Sequence, residues 1–319
     1  MNRTKIIIDC DPGIDDSIML CLAAAYERQL EILAVTTVAG NHLIDKVTKN
    51  ALDVLDFLKM DVPVARGMDT HILNPVRPAE DAHGENALGN VTLPDSVRKP
   101  VDEHAVLYIR DLLMGLGEDE KVTLVVTGPC TNIAMLFRLF PHIKKKVQQI
   151  VLMGGGVKSG NVTSAAEFNM HEDPEAGEIV FQSGVPIVMA GLDVTWQCGL
   201  TRRQIEKLCQ VGGKVAKFCG DMAGYAFERS FHELRRILPI HDAVTIMYLV
   251  HPEIFQDEDA FVHVDCSYGI SRGETVCDFR WWRFEEEPAV KVLLSADENK
   301  FQELLIEAIF ELDERLGNL

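Results

Sequence analysis

The reading of the chain turns on Ile6-Ile7-Ile8-Asp9-Cys10-Asp11-Pro12-Gly13-Ile14-Asp15-Asp16. A short apolar run, then Pro-Gly, then an apolar-periodic segment predicts a buried strand, a tight turn and a helix. The carboxylates of Asp9, Asp11, Asp15 and Asp16 therefore fall where a strand's C-terminal end feeds a helix N-terminus. That is where open α/β sheets keep their sites. Ordinary capping covers part of this acidity: Asp11 suits an N-cap, Pro12 the first helical position, and acids in a first turn favour the helix dipole. The remaining acids repel one another unless some are protonated or a cation joins them. Carboxylate and carbonyl oxygens suit a hard divalent cation, Ca²⁺ or Mg²⁺. Zinc calls for Cys or His at ligand spacing, and only Cys10 lies here, opposite Asp9 and Asp11 in an extended segment.

Two familiar acidic patterns fail. An EF-hand loop beginning at Asp9 needs Gly and Glu where the chain has Ile14 and Leu20. A phosphatase of the haloacid-dehalogenase type resembles Asp-x-Asp-x-Thr/Val, and Gly13 occupies that last place. What Asp9 to Asp16 does resemble is the signature of the inosine-uridine preferring nucleoside hydrolase family, Asp-x-Asp-Pro-Gly-x-Asp-Asp. Further blocks follow in the family's order and cover nearly the whole chain. They are Val35-Thr36-Thr37-Val38-Ala39-Gly40-Asn41, Thr127-Gly128-Pro129-Cys130-Thr131-Asn132, Met153-Gly154-Gly155-Gly156, Glu167-Phe168-Asn169 and His241-Asp242.

Composition narrows the partners. The 319 residues, 47% apolar and 25% charged, suffice for a sizeable core, and with no linker in view we expect a single domain over 1–319. A formal charge of −18 argues against a nucleic-acid backbone as ligand. The polar Met1 to Lys5 is no secretory signal, and the apolar stretch near Ile18 to Tyr26 is too short to span a bilayer, so no membrane is expected. Eight scattered cysteines without a Cys-x-x-Cys pair read as free thiols of a cytoplasmic protein.

The pattern beyond the opening turn alternates. Strands are predicted at Lys5–Ile8, Ile32–Val38, Val62–Ala65, Val122–Val126, Gln149–Met153 and Pro186–Ala190, with helices at 14–28, 43–58, 102–114, 132–140 and 174–182. This predicts an α/β fold, an open and mostly parallel sheet flanked by helices with a Rossmann-like core. Later segments read as helices at 201–209, 215–237, 243–250 and 297–316, with short strands at 261–264, 267–270, 275–278 and 289–293. Gly67 to about Pro100 is a long polar loop, of the kind that is usually a functional lid or disordered. The glycines at 154–156 lack the Gly-x-Gly-x-x-Gly spacing of a dinucleotide site.

The resemblance implies a ribonucleoside hydrolase that releases free base and ribose. It implies Ca²⁺ held by Asp11, Asp16, the Thr127 carbonyl and Asp242, with Asp11 also the general base on the cation's water and His241 the leaving-group acid. It also implies Asp15 and Asn41 on the 2′ and 3′ hydroxyls, Asn161, Glu167 and Asn169 on the 5′ hydroxyl, and Met153, Phe168 and His83 along the substrate. Carboxylates and amides do bind vicinal hydroxyls well, and metal binding does acidify water. For Asp242, capping of the following helix is an equal reading. Tyr225, Phe227, Glu228, Phe231 and Arg235 are candidates to cover the base, though the aromatic members equally suit a helix's buried face. Cys130 stands where Leu is more usual, and His171-Glu172 replaces small or aromatic residues before Asp173, which leaves base preference open. Hydrolysis of a modified-base nucleoside, or binding without turnover, are the alternatives. Family members are commonly homodimers or homotetramers. No role follows for Trp281-Trp282.

Overall fold

The isoleucine run folds as strand β1 (Thr4–Cys10). Ile6, Ile8 and Cys10 enter one hydrophobic core while Ile7 enters another, so the strand is buried on both faces and reads as a continuous apolar run. The computed structural model describes residues 3–229, 236–283 and 285–317. The remaining strands are β2 (Leu30–Thr37), β3 (Val64–Arg66), β4 (Val122–Val126), β5 (Val147–Met153), β6 (Ile187–Ala190), β7 (Gly199–Thr201), β8 (Ile237–Pro239), β9 (Phe255–Val264), β10 (Thr275–Asp278) and β11 (Val290–Ala296).

Nine of these strands form one sheet in the order β10-β9-β11-β6-β5-β4-β1-β2-β3. From β3 across to β11 each neighbouring pair is parallel, and β9 and β10 add antiparallel pairings at one edge. Helices 14–25, 44–57, 214–229, 243–250 and 298–317 pack on one face. Helices 105–114, 131–139 and 174–181 cover the other. The chain moves outward from β1 to β2 and β3 on one side, and from β4 to β5 and β6 on the other. The β1–β4 pair is thus the point where strand order reverses, and a crevice opens beyond its C-terminal ends.

The sheet agrees with the alternation in the sequence, and three segments differ from it. The helix expected over 215–237 is described from Lys214 to Arg229, and Ile237–Pro239 forms β8, antiparallel to β7. Phe231 and Arg235 lie outside the described residues. Residues 267–270 form a turn between β9 and β10. Strand β9 begins at Phe255 because the acids of its first half, though exposed, pair with β11: Lys291 Nζ lies 2.8 Å from Asp257 and 3.4 Å from Asp259. Such a stretch carries no apolar alternation to read.

Candidate active site

Four acids enter the crevice's neighbourhood from the β1 turn, and they divide by role. Asp9 faces away from the crevice: its Oδ1 accepts from Thr36 Oγ1 at 2.5 Å and Asn132 Nδ2 at 2.8 Å, and burial pushes its carboxyl up to about 6. Asn132 in turn donates to the Thr37 carbonyl and accepts from the Met68 amide, so Asp9 braces the ends of β2 and the loop after β3. Asp11 is not the cap of the following helix. Gly13 occupies the N-cap position, and Asp16 Oδ2 accepts from its amide at 3.1 Å.

Asp11 is held by one oxygen only. Its Oδ2 accepts from the Asn41 amide at 2.6 Å, whereas its Oδ1 is buried without a partner. Asn41 Nδ2 donates to the Asp11 carbonyl (3.2 Å) and Asp16 Oδ2 (3.1 Å), and Thr127 Oγ1 donates to Asp16 Oδ1 (2.8 Å). Close approach of these loops depends on glycine: a Cβ on Gly40 would strike the Asp11 carboxylate and Pro129, and one on Gly128 would lie 2.9 Å from Asp11 Oδ1.

Asp242 precedes helix 243–250 but makes no capping hydrogen bond. Single carboxylate oxygens of Asp15, Asp16 and Asp242 lie within 4.8 Å of one another. The Asp11 and Asp242 carboxyls are pushed well above the usual carboxylate range, first by burial and then by their acidic neighbours, and Asp15 and Asp16 shift the same way. Like charges so arranged need a counter-charge. Asp15 Oδ1 is also buried and partnerless. An all-oxygen set with orphaned lone pairs fits a hard divalent cation. Soft donors are directed elsewhere: the Cys10 thiol donates to the Thr36 carbonyl, and His83 Nδ1 accepts from the Ile14 amide at 3.1 Å. The sequence-derived set shares Asp16 and Asp242 with this cluster, which has Asp15 in place of Asp11.

Above the acids opens a cavity of about 470 Å³, within the range of small-molecule sites. Its wall carries Asp15, Asn41, His83, Thr127 and Met153 on one side, Asn161, Glu167, Phe168 and Asn169 from the segment after β5, and His241 with Asp242.

The sequence matches the model of a family described as inosine-uridine preferring nucleoside hydrolase over residues 6–303. The chain belongs to the inosine-uridine preferring nucleoside hydrolase family. It is 40% identical over 279 residues to the pyrimidine-specific ribonucleoside hydrolase RihB of Shigella flexneri and of Escherichia coli, covering 87% of this chain and 88% of the relative. A solved plant nucleoside hydrolase superposes with a TM-score of 0.90 at 31% identity, covering 97% of this chain and 99% of the other. A purine-preferring ribonucleoside hydrolase from Gardnerella vaginalis gives 0.90 at 31%, covering 98% and 100%. The nucleoside hydrolase is thus an enzyme acting on N-glycosyl bonds of ribonucleosides.

Within this nucleoside hydrolase, Glu167 is tied to backbone. As N-cap of helix 168–172 it accepts from Asn169 N (3.0 Å), Gly155 N (2.9 Å) and Met170 N (3.2 Å), and burial pushes it up to about 7. Asn169 is thereby placed with its Nδ2 on the Thr127 (2.8 Å) and Met153 (3.1 Å) carbonyls. Asn161 Oδ1 accepts from Phe168 N at 2.9 Å. His241 Nδ1 sits 2.7 Å from Thr195 Oγ1, with the Trp196 ring edge-on at 4.9 Å.

Tyr225, Phe227 and Glu228 do not reach the cavity wall. Tyr225 packs against Gly84 (φ +79°) and Gly89 (φ +61°), left-handed positions whose missing Cβ makes room for its ring. Phe227 lies under the Arg202 guanidinium at 4.8 Å, and Glu228 is exposed. Helical spacing brings Ala226 and Arg229 inward instead. Sequence reasoning missed these two, together with Trp196, Asp81 and the Ile237–Ile240 segment. Only the helix phase could have marked Ala226 and Arg229.

Proposed function

We propose that the enzyme hydrolyses pyrimidine ribonucleosides, uridine foremost, with Asp11 as general base and His241 as leaving-group acid. The ribose sits at the acids, with its 2′ and 3′ hydroxyls on Asp15 and Asn41 and its 5′ hydroxyl on Asn161 and Asn169, which Glu167 orients. Asp16 and Asp242 would hold Ca²⁺, with Asp11, Asp15 and the Thr127 carbonyl as further oxygen donors. Bound there, the cation offsets the clustered charge and acidifies a water.

Asp11 takes the proton of the attacking water as its oxygen bonds to C1′. The C1′–N bond breaks with its electron pair going to the base, and His241 supplies that nitrogen with a proton. Asp15 and its neighbours favour the cationic ribosyl character that develops between these events. The observation that carries the reading is the half-bound Asp11 carboxylate, pinned by the Asn41 amide through Oδ2 and open at Oδ1. The RihB relatives, pyrimidine-specific by name, support the substrate class.

Release of base from uridine, cytidine, inosine and adenosine by wild type and Asp11→Asn tests this. Uridine and cytidine should lead, and the variant should lose about 10²- to 10⁴-fold in kcat. Unchanged turnover in Asp11→Asn would remove Asp11 from the role.

The exposed Val276, Trp281 and Trp282 on and after edge strand β10 support a homodimer or homotetramer. Eight free cysteines support a cytoplasmic location, and no described helix is long and apolar enough to cross a membrane.

A further inference from the structure

Arg229 is the only lysine or arginine on the cavity wall among the described residues. No hydrogen bond or ion pair ties its guanidinium to a described residue. It lies over the Tyr225 ring at 4.0 Å, and Tyr225 in turn packs on Gly84 and Gly89, in the loop that carries His83. Stacking thus fixes the plane of the group while leaving its N–H donors free.

Depth orients the ligand. Asp16 and Asp242 are buried at the floor, whereas Arg229 is exposed at the rim, among the apolar Ala79, Ala82, Leu238 and Pro239. A ribonucleoside whose ribose reaches the acids presents the far edge of its base to that rim. In uracil and hypoxanthine that edge carries a keto oxygen, and in cytosine and adenine an amino group.

We propose that Arg229 is a specificity-determining residue, whose guanidinium donates to a keto oxygen at the far edge of the base and disfavours an amino group there. This rests on the ribonucleoside hydrolase reading above. A guanidinium has donors and no acceptor, so an amino group facing it leaves both sides unsatisfied. Electron density also moves onto the keto oxygen as the base departs, which strengthens the contact in the transition state. Asp81, on the same rim, offers the opposite preference. It is exposed on a four-residue helix and meets water freely, whereas Arg229 is stacked in place.

The test is kcat/KM for uridine, cytidine, inosine and adenosine in wild type, Arg229→Gln and Arg229→Lys. Arg229→Gln should lose about 10- to 100-fold on uridine and inosine, and less than about threefold on cytidine and adenosine. Arg229→Lys should recover part of the loss. Equal losses on all four substrates, or a larger loss on cytidine, would overturn the assignment. Uridine and cytidine dissociation constants, measured by calorimetry with Ca²⁺ present in an Asp11→Asn background with and without Arg229→Gln, separate it from the hydrolase reading. If wild type releases no base at all, the hydrolase reading fails. The binding ratio still decides Arg229: selective weakening of uridine supports it and uniform weakening refutes it.

Discussion

The imidazole of His241 is anchored by the hydroxyl of Thr195, Nδ1 to Oγ1 at 2.7 Å, and Thr195 is fully buried. The bond ties Nδ1 to a buried side chain and so fixes the orientation of the ring at the cavity. Thr195→Val keeps the shape and removes the partner. We expect kcat to fall about tenfold, the alkaline limb of its pH profile to move, and KM to change little, with Thr195→Ser close to wild type. A Thr195→Val profile superimposable on wild type would leave the hydroxyl without a catalytic part.

His83 accepts from the Ile14 amide only while neutral, and burial lowers its pKa from the ordinary 6.5 to about 4. The unfolded chain takes up a proton at this position near pH 6.5, and the folded chain only near 4. The stability contributed is complete above pH 6.5 and is lost as pH falls through that window, by up to about 3 kcal/mol. Glu167 and Asp9, raised to about 7 and about 6, act in the opposite sense, so the comparison is made between chains. Acidification from about pH 7.5 to 4.5 should move the urea midpoint of wild type downward relative to that of His83→Gln, whatever the sign of the change the two chains share.

Gly40 lets the β2 loop close on Asp11. In Gly40→Ala the new methyl meets the Asp11 carboxylate and lies 2.7 Å from Pro129 Cδ, both parts of packed structure. We expect a stability loss of about 2–4 kcal/mol and a fall in kcat/KM of more than about 100-fold. Denaturant unfolding and uridine turnover read the two effects separately.

Asp15 and Asn41 line the cavity beside the acids, and a site built to bind hydroxyls penalises their loss. The kcat/KM for 2′-deoxyuridine should lie at least about 10³-fold below that for uridine. Comparable values would show that the 2′ hydroxyl is not gripped.

The sequence carried the parts of this molecule set by chain-local chemistry. Apolar runs gave the parallel strands, and the acids after Ile8 marked the β1–β4 reversal where Asp16 and Thr127 meet. What escaped depends on rotation and pairing. Helix 214–229 is amphipathic in a way that let Tyr225 and Phe227 pass as wall residues, and only its packing turns Ala226 and Arg229 inward. Strand β8 is a three-residue partner of β7 with no periodicity of its own. Glu167, expected on a ribose hydroxyl, lies on the cavity wall and also accepts from three backbone amides, a use that no spacing discloses.

The most direct test of the account is uracil release from uridine by chelator-stripped protein, before and after Ca²⁺ is restored, in wild type and Asp11→Asn. The stripped wild type should lose at least about 100-fold and recover with Ca²⁺, and Asp11→Asn should stay low in both states. Full turnover after exhaustive stripping, with Asp11→Asn equal to wild type, would contradict it.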